Sequence, residues 1–129
     1  MPSIKNLEMA GAVSAYKNIE IKKSLFSTKV IFLPTQSRVK VFVMEYTPSE
    51  GERVARLLGM PCDKMATAVE KEGKPVAGAN GHYRLEACLS DDRQFCALQL
   101  FCYVDFGYRA STEPLFYEGI NAEVAARIL

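Results

Sequence analysis

The chain holds one histidine, His82, and four cysteines, Cys62, Cys88, Cys96 and Cys102, and nucleophilic, acid-base or metal chemistry would have to be built from these. His82 follows a glycine-rich stretch and opens an alternating run, a position from which an imidazole can exchange protons near neutral pH. A lone histidine beside Tyr83 and Arg84 at a strand end reads more simply as a half-exposed polar residue. A Cys-His hydrolase needs thiol and imidazole within hydrogen-bond reach, whereas Cys88 stands six residues from His82 on the same run. Only a cysteine folded in from elsewhere, such as Cys62, could supply that pair.

Other chemistry fares no better. The cysteine spacings match no short chelating knuckle and one histidine cannot complete a cluster locally, so no metal is expected. Asp91-Asp92 has the charge of a calcium loop but not its remaining ligands, and a hairpin turn uses Asp for its own hydrogen bonds. Gly73, Gly78 and Gly81 lack the strand-loop-helix context and the Lys-Ser/Thr of a phosphate loop. Nothing pairs Glu113, Glu118 and Glu123 as catalytic carboxylates. No catalytic residue, cofactor or metal ligand is therefore assigned.

The elements that would position such residues centre on His82 to Asp105, where two alternating runs meet at Ser90-Asp91-Asp92-Arg93. Tyr83, Leu85, Ala87 and Leu89 share a face with Cys96, Leu98, Leu100, Cys102 and Val104, as a strand pair on a core requires. The reverse face carries His82, Arg84, Glu86 and Cys88 with Phe95, Ala97, Gln99, Phe101, Tyr103 and Asp105, too apolar for a solvated face and too polar for a second closed core. Like faces pair only across an even loop, so a turn of two or four residues is predicted.

Upstream, Ser3 caps a short helix with Ile4, Leu7, Ala10 and Gly11 in register. Ile19, Ile21 and Leu25-Phe26 then alternate with Glu20, Lys22 and Lys23. Lys29 to Leu33 and Arg38 to Tyr46 form a further strand pair around Pro34-Thr35-Gln36-Ser37. Thr47-Pro48-Ser49-Glu50 starts a helix that buries Val54, Leu57 and Leu58 and stops at Gly59, and losing the cap costs about 1 kcal/mol. Met65 to Val69 is either a strand turning at Glu72-Gly73-Lys74 into Pro75-Val76 or the end of a helix, and Gly78 to Gly81 is a loop. Gly107 to Pro114 reads as a connection and Leu115-Phe116-Tyr117 as a short strand, and Asn121 caps a last helix with Ile120, Val124 and Ile128 in register. The class that results is α+β, an antiparallel meander sheet of about five to seven strands packed on one side by two or three helices.

Composition sets the remaining bounds. At 129 residues, 49% hydrophobic and 24% charged, the chain reads as a single compact domain over residues 1–129. Net charge is +1, yet residues 1–60 carry +4 and the rest −3, a polarity that self-association could use. The N-terminus, Met-Pro-Ser-Ile-Lys-Asn, lacks a leader pattern, so a reducing cytoplasmic location with free thiols is the expectation. No apolar run approaches spanning length, and no membrane partner is expected.

The first functional reading is a non-enzymatic interaction module or assembly subunit that binds a protein partner, or a second copy of itself, through its sheet, with Phe95, Phe101, Tyr103, His82 and Arg84 as partner-binding residues. Its rival is a small-molecule or enzymatic pocket near His82, using Arg84 and Tyr103. A weak nucleic-acid binder is the third reading. Lys17, Lys22, Lys23, Lys29, Arg38 and Lys40 gather around Tyr16, Phe26, Phe32 and Phe42, but the overall charge is near neutral.

Overall fold

Turn and cap chemistry divide the alternating sequence into strands and helices. The computed structural model describes residues 13, 16–59, 70–71, 74–75, 82–104 and 106–129. The elements along the described chain are β1 (Ile19–Lys23), β2 (Thr28–Phe32), β3 (Ser37–Tyr46), α1 (Pro48–Leu57), β4 (Glu70–Lys71), β5 (Lys74–Pro75), β6 (Tyr83–Ser90), β7 (Phe95–Val104), β8 (Gly107–Ala110), β9 (Leu115–Glu118) and α2 (Ile120–Ala126). Seven of these strands make one antiparallel sheet in the order β1-β2-β3-β6-β7-β8, with β9 also on β7, while β4 and β5 pair separately. The class is α+β. It is not a plain meander, because α1 and the β4–β5 pair intervene in sequence between the sheet neighbours β3 and β6. Among the described residues, no helix is long and apolar enough to cross a membrane. The helix at Ser3, Cys62, Met65 to Val69, Gly78 to Gly81 and Asp105 lie outside the described residues.

Contacts group the chain into two compact units interleaved in sequence: Met1–Phe42, Glu86–Leu98 and Pro114–Leu129 form the first, Val43–Leu85 and Gln99–Glu113 the second. β3, β6 and β7 each contribute residues to both.

In the first unit, Val13, Val30, Phe32, Val39, Val41, Cys88, Phe95 and Ala97 form a buried cluster, with Tyr16, Ile19 and Ile21 packed against it. The register sets Ile19 opposite Phe32 and Ile21 opposite Val30, so alternate residues of both strands share the core side. Here the sequence expectation is corrected. Phe95, expected on a face open to partners, is 0% exposed, its ring 4.7 Å from Tyr16 and 5.3 Å from Phe32. Burying such a ring contributes about 1.5–3 kcal/mol, and strands from distant parts of the sequence supply the cover. Cys96 and Leu98, on the opposite side of β7, are equally buried, so this stretch of ribbon is covered on both faces.

The β6–β7 loop has four residues, one of the two even lengths that the facing pattern allows. Ser90 Oγ accepts from Phe95 N at 2.9 Å and donates to Asp92 Oδ1 at 2.6 Å, while Asp92 N donates to Ser37 Oγ at 3.0 Å. Arg93 takes the left-handed position at φ 60°. Another correction concerns Leu25-Phe26, which do not continue β1. Ser27 N bonds Ser24 Oγ and Ser24 N bonds Ser27 O, which closes a turn with both apolar residues at its tip.

Gly107 to Ala110, read as a connection, is a strand because it pairs with the second half of β7, while β9 takes the first half. The last helix has Gly119, whose N–H donates to Gln94 O at 2.9 Å, as its N-cap in place of Asn121. It buries Ala122, Ala125 and Ala126 and leaves Ile120 and Val124 exposed, the reverse of the expected face. Small side chains let the helix approach its support closely.

In the second unit α1 has the expected cap: Thr47 Oγ1 accepts from Glu50 N, Pro48 stands in the first turn, and Gly59 follows the C-cap at φ 67°. Its buried face is Gly51, Val54 and Ala55, whereas Leu57 is 70% exposed and only part of Leu58 is covered. The reason is the seat of Gly51. A Cβ there would fall 2.1 Å from Tyr83 Cδ2, so the helix backbone rests directly on the Tyr83 ring. β4 and β5 pair Glu70 with Pro75 and Lys71 with Lys74.

Candidate functional site

The second unit brings together three of the five residues singled out from sequence, His82, Arg84 and Tyr103, and adds two that were not, Tyr108 and Glu45. β6 and β7 set the first contact: Tyr103 N donates to His82 O at 3.0 Å, and the two rings stack 5.3 Å apart, 10° from parallel. β8 then returns beside β7 with Tyr108 opposite Tyr103. That register places the Tyr108 ring edge-on to Tyr103 at 5.2 Å and to His82 at 5.6 Å. Arg84, two residues along β6 on the His82 side, lays its guanidinium 5.1 Å from the centre of the Tyr108 ring.

Polar bonds fix the same group. Tyr108 OH lies 2.8 Å from His82 Nε2 and donates to Glu45 Oε1 at 3.1 Å. A phenol has one proton to give, so with that proton on the Glu45 bond it is the imidazole that donates from Nε2. This assigns the Nε2 position of His82 a proton that is already in use. Burial, then the Glu45 carboxylate and its hydrogen bond, push the Tyr108 phenol up to about 12, with Arg84 pulling the other way. The phenol is thus neutral at physiological pH and serves as a bridge.

The half-exposed polar histidine expected at this strand end is corrected: His82 is 2% exposed, because Tyr103 and Tyr108 enclose it. Arg84, Phe101, Tyr103 and Tyr108 are half-buried, so they present surface where His82 does not. Next to them Phe106 is 95% exposed and held at φ 70°, a conformation an aromatic residue rarely adopts. Phe95 belongs to the first unit's core and is no part of this group.

Sequence reasoning missed Tyr108 and Glu45 because their neighbourhood depends on β8 being a strand, and Gly107-Tyr108-Arg109-Ala110 has only four residues in which to show alternation. The signal that existed was Tyr108 itself, an aromatic polar residue two positions past a turn. The described thiols offer no alternative centre. Cys88, Cys96 and Cys102 are buried, burial pushes Cys96 up to about 12, and burial followed by the neighbouring Cys96 pushes Cys88 up as well. No group of three or more metal-ligating side chains gathers among the described residues. Comparison with protein-family models, with curated proteins and with solved structures finds no match.

Proposed function

We propose that the protein is a non-enzymatic interaction module or assembly subunit that meets a protein partner, a second copy of itself being the first to test, through the half-open sheet face of its second unit. The observation that supports this is the set Arg84, Tyr103 and Tyr108, half-exposed and joined to one another by edge-on and cation-π contacts, with Tyr103 stacked on the buried His82 beneath. Tyr and Arg are the side chains that dominate interface energetics, and rings held in place before binding lose little freedom on docking. Phe101, two residues from Tyr103 on the same side of β7, and the strained, solvent-facing Phe106 extend the aromatic area. His82 and Glu45 act beneath the surface as the supports that hold Tyr108.

The second reading, a ligand or acid-base site, draws on the His82–Tyr108–Glu45 chain of hydrogen bonds. It is the weaker of the two, since the His82 ring is covered and its Nε2 proton engaged.

Light scattering over a wide range of concentration is the test. Self-association that grows with concentration and is abolished by Phe101→Glu supports the reading, with nuclear magnetic resonance shifts on dilution expected at Phe101, Tyr103 and Tyr108. A monomer at every concentration, indifferent to Phe101→Glu, removes self-association. Ligand-dependent stabilisation lost in His82→Ala would move the assignment to the second reading.

A further inference from the structure

The first unit carries a feature that the aromatic face does not explain. The β1–β2 turn holds Leu25 and Phe26 at 95% and 96% exposure, two large apolar side chains wholly in water at the end of a closed hairpin. The turn does not need them there. Its closure comes from Ser24 and Ser27, through Ser27 N to Ser24 Oγ at 3.1 Å and Ser24 N to Ser27 O at 2.8 Å, and turn positions favour Gly, Asn, Asp or Pro. Neither Leu25 nor Phe26 has positive φ, so no left-handed backbone strain accompanies their place at the tip.

Two like charges meet behind the tip: Lys22 and Lys29 stand directly opposite each other across the two strands, both exposed, with exposed Glu20 two residues further back on the same face of β1. Like charges facing across a strand pair are destabilising, so this arrangement works against the hairpin unless an anionic surface meets it. An apolar wedge backed by a facing lysine pair combines the two signals for adsorption to a bilayer, apolar insertion together with attraction to acidic headgroups. A nucleic-acid strand would use the lysines and could stack on Phe26, but it gives no use to Leu25 and prefers a groove to a convex tip.

We infer that the Ser24–Ser27 hairpin tip is a peripheral docking site for anionic lipid surfaces, with Leu25 and Phe26 entering the headgroup region and the facing Lys22 and Lys29 contacting acidic headgroups. This is adsorption by a strand tip and involves no spanning segment.

The test is co-sedimentation of the full chain with vesicles of phosphatidylcholine alone and of about three parts phosphatidylcholine to one part phosphatidylserine. Binding is expected to the acidic vesicles only, weakening as salt rises. Leu25→Ser with Phe26→Ser, and separately Lys22→Glu with Lys29→Glu, should each lower partitioning by about tenfold or more. Circular dichroism melts of these surface variants check that folding is retained, and Phe101→Glu should bind vesicles as the unaltered chain does, which separates this inference from the proposed function. Absence of binding to acidic vesicles, equal binding by the tip variants, preferential binding of random single-stranded oligonucleotides, or a change of solution mass on tip substitution would each overturn it, the last pointing to a second copy as the occupant.

Discussion

Along one side of β7 the residues Phe95 and Ala97 belong to the first unit and Phe101 and Tyr103 to the second, and the same alternation has two outcomes. In the first unit that side is closed. Phe95 is caged by Tyr16 and Phe32, with Val39 and Val41 in the same cluster. In the second unit it stays half-open, and its polar groups bond one another through Tyr108 instead of giving way to aliphatic cover. Alternation decides which side chains share a face. Whether that face is covered depends on strands that arrive from elsewhere in the chain, and these follow different rules in the two units.

Truncating each aromatic tests the contrast most strongly. Phe95→Ala is expected to lower stability by about 3–5 kcal/mol, while Phe101→Ala at a half-buried site should cost well under half of that. Urea denaturation of both variants provides the measurement, and equal losses would mean that the two stretches of β7 are covered alike.

Gly51→Ala comes next in size. In an exposed helix interior the change gains about 1 kcal/mol of propensity. Here the added Cβ meets the Tyr83 ring at 2.1 Å, so α1 or the ring must shift and a net loss of about 1–3 kcal/mol is expected by thermal melting. A stabilised variant would show that α1 does not rest on Tyr83.

Tyr108→Phe keeps the rings and deletes the hydroxyl that joins His82 to Glu45, for a loss of about 1–3 kcal/mol because buried His82 loses a hydrogen-bond partner. The pH dependence is also defined. The folded phenol titrates near 12 against an ordinary 10.0, so its contribution is fully present below pH 10 and is lost as pH rises through 12. Tyr16, raised to about 12 by burial and then by its Glu118 hydrogen bond, adds a similar fall from the first unit. Tyr108→Phe should therefore flatten part of the alkaline limb, and Tyr16→Phe a further part.

Legibility from sequence followed the range of the interactions. Local chemistry was readable: the Thr47-Pro48 start and Gly59 stop of α1, the even β6–β7 loop, the β9 strand, and the facing of His82 with Arg84 and of Phe101 with Tyr103. Features set at a distance were not. The cover over Phe95 comes from β2, β3 and Tyr16, and α2 turns its alanines inward with its N-cap, Gly119, tied to Gln94. Larger apolar residues, Leu57, Ile120 and Val124, attracted the core assignment that smaller Gly51, Ala122 and Ala125 hold. Size argues for burial only where the backbones leave room, and close approach reverses the preference. The turn at Leu25-Phe26 was hidden for a related reason, since apolar residues mimic a strand continuing and the closing signal lay in the flanking serines.

The smallest effect separates a turn network from the face network. Desolvation raises the Asp92 carboxyl, but hydrogen bonds from the Ser90 and Thr35 hydroxyls and the Gln94 N–H outweigh it and hold the pKa below its ordinary 3.8. A depressed carboxyl contributes stability that is present above pH 3.8 and is lost as pH falls through the lower folded value. Asp92→Asn should therefore flatten the acid limb of a stability-versus-pH curve and leave the alkaline limb unchanged, while Tyr108→Phe does the opposite. Both networks hold a loop or strand in place through one bridging oxygen-bearing side chain, yet one is charged in the folded state and the other neutral. An acid limb that survives Asp92→Asn undiminished would show that the turn depends on the serine and threonine hydroxyls alone, with no share for the carboxylate charge.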